Sequence, residues 1–283
     1  MIYDETNQEI IIADHPQKNR CVVFTEDGKF LRQFYFPVNS WIRDLNDFDD
    51  QTLLAYNNVR ESGLSDGNIN QITPYVFLSK SDGSIVSRVN LSFPKRVSDT
   101  HVTYRASDGM RTITVNTPYK RIKYGQEFII ADRSSDTVFL LTQDKKVTPL
   151  FAKTPSSFDE NQFITMFSVH FKLNNYLFFM TNTYNLPEVI KLNEKGQYIG
   201  SAVKMSYFVY DMHSSEVFVP IGKAPLGTNI DAPENTFVTH YPADILAGLL
   251  KKGRLDGKLK QVAQTINEED NPVVEIIKYR LND

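Results

Sequence analysis

The sequence predicts an all-β protein, and more specifically a β-propeller built from four-stranded blades. Three observations indicate this fold class. Short hairpins with charged tips recur along the 283 residues, and the sequence Ile-Ile-Ala-Asp occurs twice, at 11–14 and 129–132. Hydrophobic residues make up 41% of the chain, with 19 Phe and 14 Tyr, a composition that suits buried strands. We predict a single domain over 1–283 with five recognisable blades, roughly 1–38, 39–95, 96–155, 156–206 and 207–283.

The hairpins are the most regular of these features. Asp-Gly between two apolar runs is a strong hairpin signal, because type I′ turns require positive φ at both central residues. The predicted tips follow one another at intervals of about 50 to 60 residues, slightly longer than the blades of familiar propellers. They lie at Asp27-Gly28, Asp82-Gly83, Asp144-Lys145 and Lys195-Gly196.

Further apolar runs precede each hairpin and complete the predicted blades. Because these runs are mostly continuous, they favour strands that are buried on both faces between neighbouring blades. The runs cover 41–45 and 52–56 before the second hairpin, 112–115, 119–122 and 127–131 before the third, and 163–171 and 176–180 before the fourth.

The last predicted unit does not follow this order of strands and hairpins. After strands near 207–212, 216–220 and 236–239, helical spacing predicts two short helices over 243–252 and 256–266, within a helical insertion spanning 242–267. A final strand within 272–281 is predicted to pair with the blade from the other terminus, which would remove an exposed sheet edge.

Three stretches carry a resemblance to a known family. They are Phe-Ile-Ile-Ala-Asp-x-Ser-Ser-Asp-Thr-Val-Phe at 128–139, Asp-Gly-Lys-Phe-Leu at 27–31 and Glu-Asp-Asn-Pro-Val-Val at 269–274. They resemble secreted bacterial six-bladed β-propeller proteins related to NHL repeats, mostly of unknown function. The resemblance covers nearly the whole chain and implies a lipoprotein-type leader and one blade before Met1. It therefore implies a periplasmic or cell-surface protein, either six-bladed with one blade missing here or a five-bladed variant.

Composition excludes several classes of protein. The net charge of −3 is well mixed along the chain, so nothing indicates nucleic-acid binding. Cys21 is the sole cysteine, which rules out an internal disulfide and a cysteine-based metal site. No apolar run reaches the length of a transmembrane helix, so we predict no transmembrane segment. No cofactor-binding motif is present, so we predict no cofactor. Residues 1–25 lack a signal peptide, and a true start at Met1 would instead predict a cytoplasmic protein.

Asp14 and Asp132 occupy the same place in the two Ile-Ile-Ala-Asp copies. The structural interpretation is that each aspartate caps a turn by accepting backbone N–H groups. The functional interpretation places them near the mouth of the propeller channel as ligand contacts, together with His15 and Arg133, which follow them in sequence. Tyr56 and Arg60, near a polar loop, are further candidates for sugar or anion binding, as is Arg105. We predict that the acidic run Asp44–Asp50 is a solvated turn, because it lacks the order of a calcium loop.

The five histidines form no local metal-binding pattern, so each is interpreted as a surface or packed residue. A propeller can nevertheless bring distant residues together, and His15, His213 and His240 each lie near an aspartate. Such a site would bring together at least three of the following residues: His15, His101, His170, His213, His240, Asp14 and Asp132.

We predict a non-enzymatic binding protein of the cell envelope that presents its channel face to a glycan, peptide or protein. The candidate ligand-binding residues are Asp14, His15, Tyr56, Arg60, Asp132, Arg133 and His213. One alternative is a metal-assisted hydrolase or lyase with a composite His/Asp site, and another is an intracellular scaffold. Because one fold serves many functions, the fold class does not decide between them.

Overall fold

The computed structural model of the chain describes residues 1–14, 19–37, 40, 42–57, 73–93, 96, 101–106, 109–114, 121–124, 126–154, 163–185, 203–221 and 236–278. The chain divides into two compact units. The first comprises Met1–Asn116 and Gln126–Glu160, and the second comprises Thr117–Gly125 and Asn161–Asp283. The described part is mostly antiparallel β-sheet, which confirms the all-β prediction at this level.

In the first unit, the strands pair in chain order as antiparallel meanders. One sheet contains β1 (Ile2–Asp4), β2 (Glu9–Asp14), β3 (Arg20–Thr25) and β4 (Phe30–Tyr35). The next contains β5 (Ile42–Asp47), β6 (Thr52–Asn57), β7 (Tyr75–Ser79) and β8 (Ile85–Arg88). A pair follows, β9 (His101–Ala106) with β10 (Gly109–Thr114), and then the run β12 (Glu127–Ile130), β13 (Thr137–Leu141) and β14 (Val147–Ala152).

The strands β6 and β7 are buried on both faces, as their continuous apolar runs predict. Successive side chains of a strand point to opposite faces of its sheet. Leu53 and Ala55 therefore face one hydrophobic core, which they share with residues of the β1–β4 sheet such as Ile11. Leu54 faces a second core, which includes Phe128 of β12. The β5–β8 sheet is thus packed between its two neighbours.

The predicted hairpin tips that the structure describes are confirmed in position, but the predicted turn type is wrong. At Asp27-Gly28 and Asp144-Lys145, three residues lie between the hydrogen-bonded pair that closes each loop, Thr25 with Lys29 and Thr142 with Lys146. Within these loops only Gly28 (φ 82°) and Lys145 (φ 64°) have positive φ. Each of these two residues follows a turn and occupies the left-handed position of a bulge. The register of β3–β4 shifts between Val23 and Phe24, close to the tip, whereas the register of β13–β14 shifts between Val138 and Phe139, further from it. We call β3–β4, β7–β8 and β13–β14 the tip hairpins.

Lysines at two of these tips pair with acidic residues elsewhere in the first unit. Lys80 Nζ lies 2.6 Å from Asp4 Oδ2 and 2.7 Å from Asp47 Oδ1, and both Lys80 and Asp4 are buried. Lys145 Nζ lies 3.2 Å from Asp49 Oδ2. The acidic run Asp44–Asp50 is therefore not simply a solvated turn, because two of its carboxylates are ion-pair acceptors. Sequence spacing could not show this, since the lysines lie 33 or more positions away.

The second unit contains one large antiparallel sheet and a smaller pair of strands. The sheet has β15 (Phe163–Leu173), β16 (Tyr176–Asn185), β17 (Val203–Asp211) and β18 (Val217–Phe218), and β11 (Arg121–Tyr124) lies beside β15. Stacked rings join its strands, with Phe171 and Phe178 4.2 Å apart between centroids. The predicted unit boundary at 206/207 falls inside β17. The fourth predicted hairpin, around Lys195-Gly196, lies outside the described residues.

The two predicted helices are confirmed as α1 (Ala243–Lys251) and α2 (Gly257–Ala263). They connect β19 (Thr236–Tyr241) to β20 (Val273–Lys278), and these two strands pair with each other. Among the described residues, β20 has no pairing with a strand of the N-terminal region, so the predicted closure by the last strand is not observed. After the two helices the chain returns to β19, and β20 pairs with it from Thr236–Lys278 to Tyr241–Val273.

Gly83 should be sensitive to substitution in a way that Gly28 is not. Both have positive φ, which costs an alanine about 1 kcal/mol. A Cβ on Gly83 would also lie 2.6 Å from the Tyr35 carbonyl oxygen of β4, whereas a Cβ on Gly28 would meet nothing within 4 Å. We expect Gly83→Ala to lower the free energy of unfolding by roughly 1–3 kcal/mol more than the control Gly28→Ala. Urea unfolding measures the difference, and equal losses would contradict the close approach of the two sheets.

Lys80→Met should leave the buried Asp4 carboxylate without its ion partner. We expect a loss of roughly 3–5 kcal/mol in the free energy of unfolding near neutral pH. The control Lys29→Met removes an exposed pair with Asp27 and should cost less than about 1 kcal/mol.

The difference in stability loss between Lys80→Met and Lys29→Met should depend on pH. Burial alone would raise the pKa of Asp4, but hydrogen bonds from Lys80 and Asn7 outweigh it and hold that pKa below its ordinary value. The stabilisation is therefore present above the ordinary carboxyl pKa and is lost as pH falls through the folded-state value. The cost of Lys80→Met should shrink in acid, and a cost that is independent of pH would contradict this account.

Candidate functional site

In each of the three sheets that contain a tip hairpin, the strand before that hairpin leads to a polar residue. Asp14 is the last residue of β2, Asn57 is the last residue of β6, and Asp132 follows the end of β12 by two positions. The equivalence of Asp14 and Asp132 that the repeat predicts is thus retained in the structure. Both lie where the strand's hydrogen-bond ladder stops and side chains take over the bonding of the backbone.

Asp132 makes the contacts of a turn-forming residue and one contact more. Its side chain is buried, and the backbone N–H of Ser134 donates to Oδ1 at 2.7 Å. This hydrogen bond is an Asx turn and confirms the structural interpretation for Asp132. The Tyr75 hydroxyl also donates to Oδ2, at 2.9 Å and from 57 positions away. A local turn does not need that contact, which links the start of β7 to the end of β12.

Tyr56 connects Tyr75 to the guanidinium group of Arg96. The ring of Tyr75 meets the ring of Tyr56 edge to face, with centroids 5.3 Å apart. Arg96 donates from Nη2 to the Tyr56 hydroxyl at 2.9 Å, and its guanidinium carbon lies 5.6 Å from the centre of the same ring. A guanidinium in this position is attracted by the ring's quadrupole as well as by the hydroxyl.

A second cation approaches Asp132 from the end of β14. Lys153 Nζ donates to the main-chain oxygen of Asp132 at 3.1 Å, and the Lys153 N–H donates to the carbonyl of Asp136 at 2.5 Å. Burial lowers the pKa of the Lys153 amine to about 8, although the carboxylates of Asp132 and Asp136 act in the opposite direction. We call Tyr56, Tyr75, Arg96, Asp132 and Lys153 the strand-end cluster.

Burial divides the strand-end cluster into two layers. Tyr56, Tyr75 and Asp132 are at most 2% exposed, so they form a support that solvent does not reach. Arg96 and Lys153 are half-buried, and so is Arg133, the neighbour of Asp132 in sequence. The partly exposed residues of the cluster are therefore cations, held by the Tyr56 hydroxyl and by the main-chain oxygen of Asp132.

The structure joins some of the predicted site residues and separates others. Tyr56 and Asp132 belong to one cluster, and Arg133 lies beside it in sequence. Asp14 instead accepts a hydrogen bond from Arg20 Nε at 3.0 Å, in a partly exposed ion pair. His15 and Arg60 lie outside the described residues, as does the side chain of Arg105.

Sequence reasoning missed Tyr75, Arg96 and Lys153. Tyr75 and Tyr56 stand directly opposite each other in the β6–β7 ladder. That pairing is the one sequence signal that could have identified Tyr75, since both lie at the ends of strands that flank a polar loop. Nothing in the local sequence of Arg96 or Lys153 distinguishes either from a surface cation.

The histidines do not provide a metal-ligand set in the described part of the chain. His170 is largely buried in β15, with its ring centroid 6.3 Å from that of Tyr207. His213 is exposed in a turn where its N–H donates to Asp211 Oδ1 at 2.8 Å, and His240 is exposed on β19. Among the described residues, no three His, Cys, Asp or Glu side chains are grouped to hold a metal ion. His15 and the side chain of His101 lie outside that set.

A separate open groove of about 270 Å³ lies along β17 in the second unit. None of the predicted site residues lines it. The residues that line it include Met205, Tyr207, Phe208 and Val219. In the described part of the chain, no helix is long and apolar enough to span a membrane.

Comparison with known proteins supports the fold. No protein-family model matches the sequence, and no curated protein is similar to it in sequence. Among solved structures, a candidate exported protein of Bacteroides fragilis is similar at 14% identity with a TM-score of 0.58, over 98% of this chain and 76% of that chain. At this identity the likeness shows the fold alone, and these neighbours are β-propeller-like.

Two other solved structures are similar at lower scores. A member of the DUF4221 family from Bacteroides vulgatus has 11% identity and a TM-score of 0.46, over 74% of this chain and 62% of that chain. A virginiamycin B lyase from Staphylococcus aureus has 7% identity and a TM-score of 0.29, over 74% of this chain and 75% of that chain. These scores are too low to bear on activity, so the lyase contributes nothing to the enzyme alternative.

Tyr75→Phe tests the buried link at the centre of the cluster. Removing the hydroxyl takes a donor from the buried Asp132 Oδ2, and we expect a loss of roughly 1–3 kcal/mol in the free energy of unfolding. Tyr35→Phe is the matched control, because Tyr35 is 56% exposed and should change stability by less than about 0.5 kcal/mol. Chemical denaturation of both variants measures the effect. Equal stability of the two would show that the Tyr75–Asp132 hydrogen bond contributes nothing.

Proposed function

We propose that this chain is a non-enzymatic binding protein of the cell envelope and that the strand-end cluster is its ligand site. Its architecture would be that of an NHL-like six-bladed propeller. The likeness to the candidate exported protein of Bacteroides fragilis supports an exported location. The resemblance of the 128–139 motif to secreted propellers supports the same location.

One observation carries the choice of site. The Tyr75 hydroxyl and the Asp132 carboxylate form a buried hydrogen bond. Two half-buried cations contact the residues on either side of it, Arg96 at the Tyr56 hydroxyl and Lys153 at the main-chain oxygen of Asp132. Fixing charged groups before a ligand arrives reduces the ordering cost of binding, and this is how preorganised sites gain affinity. A turn-forming aspartate alone would require only the contact with Ser134. The additional contacts across three strands favour a surface built to hold cations in position.

The geometry favours binding over catalysis. The buried carboxylate of Asp132 is engaged by the Tyr75 hydroxyl and the Ser134 N–H, so it serves as a support and not as a free general base. The partly accessible groups are nitrogen donors, which bind oxygen atoms of a glycan, a peptide or a protein. Glycans are the first choice because their many hydroxyl oxygens suit such donors.

A binding screen with the full chain tests this proposal. We expect the chain to bind at least one member of a panel of glycans and peptides, measured by calorimetry after array screening. Arg96→Gln should weaken that binding by about tenfold or more, because it removes a charge-assisted hydrogen-bond donor. Arg88→Gln is the control, since Arg88 is an exposed cation on β8 of the same unit and is not part of the cluster.

Two outcomes would overturn the proposed site. One is the absence of binding to every glycan and peptide in the panel. The other is a ligand whose affinity is the same for Arg96→Gln and Arg88→Gln, with both variants as stable as the parent chain. The second outcome would place the binding surface elsewhere on the protein.

A further inference from the structure

One edge of the β15–β18 sheet is open along part of β17. Strand β16 pairs with β17 over its whole length, whereas β18 pairs only with Val209 and Tyr210. On the β18 side, no described strand accompanies residues 204–208. The groove of about 270 Å³ lies at this place, and Met205 and Tyr207 are among the residues that line it. The groove is therefore found where a further strand would continue the line of β18.

The hydrogen bonds at the end of β17 show which of its backbone groups face each neighbour. The Asp211 N–H donates to the carbonyl of Glu216, just before β18, at 2.9 Å. The Met212 N–H donates to the carbonyl of Asn175, just before β16, at 2.8 Å. Along a strand of an antiparallel sheet, the backbone groups of successive residues point to opposite neighbours. The odd-numbered residues of β17 therefore face the β18 side, and the even-numbered residues bond to β16.

Met205 and Tyr207 accordingly direct their N–H and C=O groups to the open edge. Among the described residues, no backbone group bonds to them on that side. Pro220 explains why β18 ends before it reaches them. The β17–β18 register would place this proline opposite Tyr207, and a proline has no N–H to donate to the tyrosine carbonyl. An unpaired edge of this kind is a template for the addition of another strand.

The side chains along this edge suit a strand with apolar residues. Met205 is 60% exposed, and Val219, which also lines the groove, is 71% exposed. Tyr207 and Phe208 are partly exposed. Neighbouring apolar side chains that remain open to solvent mark an interaction surface. A strand added beside Met205 and Tyr207 would place its own alternate side chains next to theirs on the same face of the sheet.

Charge favours a peptide over a second copy of this chain as the occupant. Lys204 is exposed, and no described carboxylate forms an ion pair with it. A peptide with a carboxylate opposite Lys204 would gain a cross-strand ion pair. A second copy paired through the same edge would offer no carboxylate, because residues 203–210 contain none, and would add another lysine. The β18 strand of each copy would also limit the length of the shared ladder.

We propose that the open edge of β17 is a docking site for an extended peptide, which binds there as an added strand. The peptide places apolar residues beside Met205 and Tyr207 and an acidic residue opposite Lys204. Backbone hydrogen bonds supply the affinity in such an arrangement, and the alternate side chains supply the specificity. The site lies in the second unit and shares no residue with the strand-end cluster, so it goes beyond the ligand site proposed above.

The probe is the acetylated and amidated peptide Val-Thr-Val-Glu-Val, which places Glu opposite Lys204 when it runs antiparallel to β17. Its first and third residues then meet Tyr207 and Met205. Methylation of the backbone nitrogens of these two valines keeps their side chains and removes their donors. We expect this change to weaken binding to the full chain by about tenfold or more in an NMR titration. The matched control is methylation of the Thr nitrogen, which points away from β17 and should have little effect.

A charge exchange tests the acidic residue of the peptide. We expect the unchanged chain to bind Val-Thr-Val-Glu-Val roughly two- to fivefold more tightly than Val-Thr-Val-Lys-Val, a preference typical of an exposed ion pair. Lys204→Glu should reverse this preference. Lys278→Glu is the control, because Lys278 is an exposed cation on β20 of the same unit, and it should leave the preference unchanged. Unfolding temperatures of both variants show that each is folded.

Amide hydrogen exchange measured by NMR locates the added strand on β17. Binding of the probe should slow exchange at Met205 and Tyr207, whose N–H groups face the open edge. Exchange at Ser206 and Phe208 should be slow with or without the peptide, because these residues bond to β16. This alternation is specific to strand addition, since an apolar contact with the side chains alone would not select the odd-numbered amides.

Four outcomes would overturn the proposal. Equal binding of the Val-methylated and Thr-methylated peptides would exclude strand addition, and absence of binding by the unmethylated probe would exclude the docking site. A preference for Glu that survives Lys204→Glu would remove the assigned role of Lys204. Slow exchange at Met205 and Tyr207 without peptide would show that the edge is already covered. The cover would be a second copy if the protection rose with protein concentration, and the chain itself if it did not.

Discussion

The first unit depends on the burial of one β-sheet on both of its faces. Because side chains alternate along a strand, β6 contributes Leu53 and Ala55 to one core and Leu54 and Tyr56 to the other. A shift of one residue in register would exchange these two sets and place side chains of the wrong size in both cores. Burial on two sides therefore fixes the register of β6 and β7, and with it the positions of every residue at their ends.

Buried polar groups lie at both ends of these strands, and different side chains satisfy them at each end. At one end, Lys80 follows β7 and its ammonium group lies between the carboxylates of Asp4 and Asp47. At the other end, Tyr75 begins β7 and its hydroxyl reaches Asp132. Both arrangements satisfy buried polar groups where the sheet ladder stops. The first has its cation fully enclosed and is structural, whereas the second leaves its cations partly open to solvent.

Asp132 makes two kinds of contact, one within its own turn and one with distant residues. Turn formation explains its contact with Ser134, and that role suffices for the fold. Asp132 also accepts hydrogen bonds from Tyr75 and from Lys153, and it thereby holds a charged side chain that is partly exposed. Asp132 thus serves the turn through Oδ1, while its Oδ2 and its main-chain oxygen accept hydrogen bonds from Tyr75 and Lys153. The two interpretations of the repeated aspartate are compatible at Asp132, while Asp14 pairs with Arg20 instead.

By itself, the sequence determined the all-β class, the hairpin positions and the two helices, because these follow from local periodicity and turn residues. The turn type that it predicted at Gly28 was wrong. The register of the β3–β4 ladder shifts near this tip, and the residues at the tip do not by themselves reveal such a bulge. The sequence identified Tyr56 and Asp132 but not their connection through Tyr75. Only tertiary structure decided which polar residues meet, because packing of separate sheets brings together side chains that are tens of positions apart. For the same reason, the acidic run at 44–50 proved to contain partners for distant lysines.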